Sequence, residues 1–168
     1  MTNTPKLLEG MSKIRLCGSR PEDTETLWAF ELGDGRYRLD NLPWFAYRVS
    51  VGDVIAARLG EDGILVMTEV LEKSGNRTIR LIGETDEHDG QWTARFATLM
   101  QEVQRLGCGY EGANPRYLAV NIPVGVDLEL VGALLDEAAI QFEYADPTYD
   151  DLFPKAGGQA NADEGSRV

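Results

Sequence analysis

Short stretches in which apolar and polar residues alternate, separated by glycine-rich turns, fill the first part of the chain and predict strands. Ile14 and Leu16 alternate with charged neighbours in Lys13 to Cys17. After a polar turn at Gly18 to Thr24 comes a second strand, Thr26 to Leu32, rich in the β-compatible residues Leu27, Trp28 and Phe30. Gly33-Asp34-Gly35 supplies a tight turn, and Tyr37 to Asp40 returns as the partner strand. Further strands follow: one through about Arg58 after the turn at Gly52-Asp53, and one from Ile64 to Leu71 after Gly60-Glu61-Asp62-Gly63. Five strands with short connections predict a small curved sheet or barrel, because closure removes exposed sheet edges.

Past Lys73-Ser74-Gly75-Asn76 the period changes. Strand Thr78 to Ile82 leads through an acidic loop, Glu84 to Gly90, into a helix from about Trp92 to Leu106. Trp92, Phe96, Leu99, Met100, Val103 and Leu106 share one face of that helix, and Gly107 sits where a left-handed cap ends it. A short strand at Cys108 to Glu111, a strand at Tyr117 to Ile122 and a second helix, which Asp127 can cap or favour in its first turn, come next. That helix buries Leu128, Val131, Leu134, Leu135 and Ala138 despite an internal Gly132, and Ile140 to Tyr144 reads as the closing strand. The fold class is therefore α+β: a small N-terminal β-barrel-like sheet followed by a ferredoxin-like βαββαβ unit. The expected division is an N-terminal arm over 1–12, the barrel over 13–75, the ferredoxin-like part over 76–146 and an acidic, flexible tail over 147–168.

One segment fits neither pattern. Asn41-Leu42-Pro43-Trp44-Phe45-Ala46-Tyr47 sets a proline among three aromatics, which marks a strand end and a corner. Together with Gly33-Asp34-Gly35-Arg36-Tyr37 and Val51-Gly52-Asp53-Val54, the stretch Trp28 to Asp53 resembles a bacterial family known only as domain of unknown function 4265. Leu106-Gly107-Cys108, Tyr110-Glu111-Gly112 and Ala119-Val120-Asn121-Ile122-Pro123 are similar to that family's second half, so the resemblance spans roughly residues 12 to 146. It implies a bacterial origin and a two-part unit, and it carries no catalytic residues with it. Gly52-Asp53 between valines also resembles a turn of cradle-loop barrels.

The charge changes the picture. Of a net −12, residues 84 to 168 carry 5 Lys and Arg against 16 Asp and Glu, whereas residues 1 to 83 carry 11 against 12. A field of that sign repels phosphate backbones and draws basic proteins from a distance, which disfavours nucleic acid as a partner. No run of about 18 apolar residues occurs, so no membrane span is expected and the default compartment is the cytoplasm. Cys17 and Cys108 lack ligand spacing and are expected as reduced thiols.

Catalytic motifs are missing. His88 is the sole histidine, and its acidic neighbours Glu84, Asp86, Glu87 and Asp89 read more simply as an exposed loop before a helix than as a metal site. No Ser or Cys lies in a nucleophile motif, and no P-loop, GxGxxG or zinc spacing is present. No cofactor is expected, and an enzyme is the less favoured class.

The leading expectation is a non-enzymatic interaction module for a basic protein partner, with neutralisation of a bacterial toxin as one version. Candidate contact residues are Trp44 and Tyr47 of the aromatic corner, Asp136, Glu137, Asp150 and Asp151 of the acidic half, and the apolar pair Leu152 and Phe153. For the corner as a whole the favoured reading is that its aromatics plug the barrel, with Trp44 or Tyr47 left as the exposed member. The alternative function is a small-molecule binder or enzyme with a cleft between the two parts, where Arg36, Arg38 and Arg48 would hold an anion.

Overall fold

A computed structural model describes residues 10–18, 20–83, 89–114 and 116–154. The predicted strands of the first part form β1 (Met11–Leu16), β2 (Glu25–Gly33), β3 (Arg36–Leu39), β4 (Val54–Leu59) and β5 (Leu65–Glu72). Neighbours pair antiparallel in chain order, and the sheet closes where β1 runs parallel to β5, Ile14 opposite Leu65 and Arg15 opposite Val66. Ile14, Leu16, Leu27, Ala29, Leu39 and Ile55 fill the interior. Gly33, Asp34 and Gly35 all take positive φ, which lets so short a connection join β2 to β3.

The second part contains β6 (Arg77–Ile82), α1 (Asp89–Arg105), β7 (Gly109–Asn114), β8 (Tyr117–Ile122), α2 (Leu128–Glu137), β9 (Gln141–Asp146) and a one-turn α3 (Tyr149–Leu152). Its four strands lie antiparallel in the order β7-β8-β6-β9. Ile79 and Leu81 of β6 and Val120 and Ile122 of β8 meet Leu99 and Val103 of α1 and Val131 and Leu135 of α2 in one core, so both helices cover the same face. Among the described residues no helix is long and apolar enough to cross a membrane.

Most boundaries fall within a few residues of expectation. The first helix starts earlier than predicted, at Asp89. It ends in a Schellman cap at Gly107, whose φ is 90°: Gly107 N–H bonds Gln104 O and Cys108 N–H bonds Val103 O. Asp127 caps α2 as expected, accepting from Glu129 N–H at 2.9 Å. The far end of α2 repeats the Schellman geometry without a glycine, for Ala139 sits at φ 51° while Ala139 N–H and Ile140 N–H bond Asp136 O and Leu135 O. Gly132 has a packing reason, since a Cβ there would lie 3.0 Å from the Tyr144 hydroxyl. The loop around His88, the first nine residues and the tail from 155 lie outside the described residues.

Candidate interaction groove and the joint behind it

The two parts meet along the sheet face that the helices leave open, and the segment 41–50 lies between them. Its backbone is held from both sides. Glu25 of β2, 8% exposed, accepts three successive N–H groups with one carboxylate, from Trp44 at 2.8 Å, Phe45 at 2.9 Å and Ala46 at 2.8 Å. From the other part, Arg80 of β6 donates to the carbonyls of Ala46 and Pro43, and the Tyr117 hydroxyl donates to Trp44 O at 2.6 Å. Burying a guanidinium that is only 1% exposed requires every donor direction to be used. Glu143 of β9 supplies an ion pair at 3.1 Å, and the Tyr47 ring lies 4.6 Å below the cation.

The aromatics of this corner therefore do not plug the barrel. Phe45 stacks on Tyr117 with centroids 6.0 Å apart, and Trp44 lines a cavity of about 390 Å³ with Glu25, Asn41 and Glu111. The reason is the Glu25 carboxylate, which turns the chain outward and leaves only Ala46 and Val49 to enter the barrel core. Trp44 Nε1 is buried with no partner among the described residues.

A second brace lies beside it. Asp53, fully buried, accepts from Ser50 N–H, Ser74 N–H, Ser74 Oγ and the Lys73 ammonium, the last at 2.6 Å. The same ammonium reaches Asp146 of β9 at 2.5 Å, and Asp146 also accepts from Ser50 Oγ. Burial works against the Lys73 charge, but its hydrogen bonds to Asp146 and Asp53 prevail and lift its pKa above the ordinary lysine value. The Gly52-Asp53 turn read from the sequence is thus the anchor of the linker between the parts.

On the outside of this joint runs a groove of about 1050 Å³ along β9. It brings together residues distant in sequence: Tyr47, Asp136, Tyr144, Tyr149, Asp150 and Phe153. Tyr149 is 61% exposed, Phe153 53% and Tyr47 48%. Glu143 lines it too, yet its charge is already bound by Arg80 and by the Tyr47 hydroxyl at 2.9 Å. The carboxylates of Asp136 and Asp150 have no hydrogen-bond or ion-pair partner among the described residues. The negative end of the α2 dipole opens on the same groove at Ala139 and Ile140.

Four of the eight residues singled out for partner contact, Tyr47, Asp136, Asp150 and Phe153, meet here. The others do not. Trp44 belongs to the joint, Glu137 faces a separate groove between α1 and α2, and Leu152 packs against the second core. Asp151 forms a capping box with Thr148 at the start of α3 and pairs with Arg48 at 2.9 Å. Its carboxyl is held below the usual aspartate range by hydrogen bonds from the Thr148 side chain and backbone, with Arg48 adding to them. The three arginines considered for an anion do not converge: Arg36 stands 3.7 Å from Glu72, Arg38 lies over Phe30, and Arg48 serves Asp151. Among the described residues no group of three or more His, Cys, Asp and Glu could hold a metal.

Tyr144 and Tyr149 lie in the stretch Tyr144 to Phe153 that the sequence marks as a docking segment without being singled out in it, and the buried Arg80 escaped sequence reasoning. Thr148-Tyr149-Asp150-Asp151 carries the Thr-x-x-Asp pattern of a capping box, and that signal would have placed α3 and turned Tyr149 toward solvent. Nothing local marks Arg80, whose partners are far away in sequence.

No curated protein matches the chain. A solved structure described as "Novel crystal structure of a hypothetical protein from Neisseria gonorrhoeae" is similar in fold, with a TM-score of 0.68 over 82% of this chain and 96% of that chain at 19% identity. The model of the family described as "Domain of unknown function (DUF4265)" matches residues 25–143, from the glutamate that holds the joint loop to the one that pairs with Arg80, and the chain belongs to that family.

Proposed function

We propose that this chain is a protein-interaction module that takes a basic partner at the groove beside β9. The observation that carries the reading is the pair of unpartnered carboxylates, Asp136 and Asp150, set among the exposed rings of Tyr149 and Phe153. Aromatic rings with open carboxylates suit Lys and Arg side chains, which gain from a ring face as well as from the charge. The excess of 16 acidic over 5 basic residues in positions 84–168 adds a long-range field that speeds encounter with a cationic protein. Neutralising a cationic bacterial toxin by covering its active surface is the version of this function we favour.

The second part is read here as a ferredoxin-like unit. Its β-α-β-β-α-β element order, the strand order β7-β8-β6-β9 and the shared core of both helices support that reading.

The test is affinity capture with the full chain, repeated with Asp136→Asn/Asp150→Asn and at rising salt. A basic protein should be recovered, its association should slow as salt rises, and the double variant should weaken it. Capture that is indifferent to both salt and the double substitution would count against the reading. A small ligand between the two parts is the second reading, and it draws on the cavity where Trp44 Nε1 lacks a partner. Such a ligand would offer a hydrogen-bond acceptor to the indole N–H, which can only donate, and it would not be the anion first considered, since Arg36, Arg38 and Arg48 are engaged elsewhere.

A further inference from the structure

The groove has a geometry that narrows the kind of partner. Gln141, Phe142, Glu143 and Tyr144 are consecutive in β9, and side chains of consecutive strand residues point to opposite faces of a sheet. All four line the groove. It therefore follows the edge of the strand instead of lying across one face. In the order β7-β8-β6-β9 the outer side of β9 has no strand beside it among the described residues. The barrel is closed and has no edge, and the opposite edge, β7, is broken by a register shift between Gly112 and Asn114, whereas the register shift of β9 falls between Tyr144 and Asp146, beyond the stretch 141–144.

The free stretch of β9 has a definite end. Arg48 N–H bonds Ala145 O at 2.8 Å and Ala145 bridges to Thr148, so the edge is closed from Ala145 onward and open from Gln141 to Tyr144. Among the devices that blunt exposed edges in natural proteins are lysine, proline, a free inward charge and a β-bulge within the open stretch. This one has none of these, because the Glu143 charge is occupied by Arg80 and Tyr47. A second copy of the chain is a poor occupant, since pairing β9 with β9 would set Asp136 and Asp150 of each copy in one negative field.

We propose that an extended basic segment of a partner protein adds to β9 as a fifth strand over Gln141–Tyr144, with its Lys or Arg side chains reaching Asp136 and Asp150. The inference rests on the basic-partner reading above and specifies its mode. Main-chain hydrogen bonds to the open edge supply affinity, and the carboxylates and rings select cationic side chains at alternate positions.

Two blocked peptides test it against the full chain: Lys-Val-Lys-Val-Lys-Val, and Lys-Val-Lys-Pro-Lys-Val, which keeps the charge but lacks a main-chain donor. The first should bind at low salt and slow hydrogen exchange of backbone amides within 141–144. The proline peptide should bind about tenfold more weakly, and Asp136→Asn/Asp150→Asn should weaken the first peptide several-fold, in line with about 1.4 kcal/mol per tenfold. Equal binding of both peptides without protection of 141–144 overturns strand addition while leaving a basic partner in place. No binding of either peptide overturns both. A chain that dimerises with its own 141–144 amides protected overturns strand addition by a partner and makes the edge a self-association site.

Discussion

The guanidinium of Arg80 lies over the ring of Tyr47, 4.6 Å from its centroid, and so links the buried joint to the exposed groove. Tyr47 closes the cation from solvent on one side and lines the groove on the other. The Tyr47 phenol is pushed above its ordinary range, first by burial and then by its hydrogen bond to Glu143. Groove and joint are thus one structure seen from two sides.

Replacing Arg80 with Met keeps the volume and removes the charge, leaving the carbonyls of Ala46 and Pro43 without a donor and Glu143 without its cation. Glu143 retains some contact with water, so the expected loss is about 2–4 kcal/mol, somewhat below that of a fully enclosed pair. Urea unfolding measures it. A loss near zero would mean that Glu25 and Tyr117 hold the joint loop without Arg80.

Ala139 takes a left-handed conformation that a Cβ disfavours. Ala139→Gly should stabilise the chain by about 0.5–1 kcal/mol without touching the Schellman hydrogen bonds of α2. The thermal midpoint should rise, and a fall would show that the Ala139 methyl contributes packing beyond its conformational cost.

Burial raises the Tyr117 pKa to about 12, with its hydroxyl donating to Trp44 O. A folded value above the unfolded one, near 10, means full stability below pH 10 and progressive loss between pH 10 and 12. Lys73, also raised, acts in the same direction at the alkaline end. Stability followed against pH should therefore fall steeply in that window. Tyr117→Phe should cost about 1 kcal/mol at pH 7 and flatten the alkaline slope, and an unchanged slope would place the loss elsewhere.

Glu111 is raised as well, by burial, against hydrogen bonds from Leu42 and Asn41 that lower it. Its contribution is fully present below the unfolded carboxyl value and lost as pH rises through the folded one, so its charged form costs stability at pH 7. Glu111→Gln should raise the urea midpoint at pH 7, and the advantage should vanish as pH drops below about 4. A midpoint that is unchanged or lower at pH 7 would refute this.

The strands and helices were legible because each buries one face, and a two- or 3.6-residue period survives in the sequence. Ile14 and Leu16, or Leu99 and Val103, announce their faces to a reader of the chain alone. The joint was not legible in the same way. Arg80 alternates with Ile79 and Leu81 as a solvent-facing residue would, and only the return of residues 43–46 over the sheet makes its position an interior one. Groove residues were found in part, because aromatics and carboxylates attract notice wherever they fall. That Tyr47 and Phe153 share a site depends on Arg48 meeting Ala145, a contact across 97 positions that no local pattern encodes.

The loop over residues 41–50 belongs to neither part alone, for its amides are held by Glu25 of the barrel and its carbonyls by Arg80 and Tyr117 of the other sheet. A cut between Glu72 and Arg77, where a boundary would be drawn by eye, separates donors from acceptors and strands a guanidinium without its cage. For engineering and for inheritance alike, the smallest portable piece of this protein is the pair.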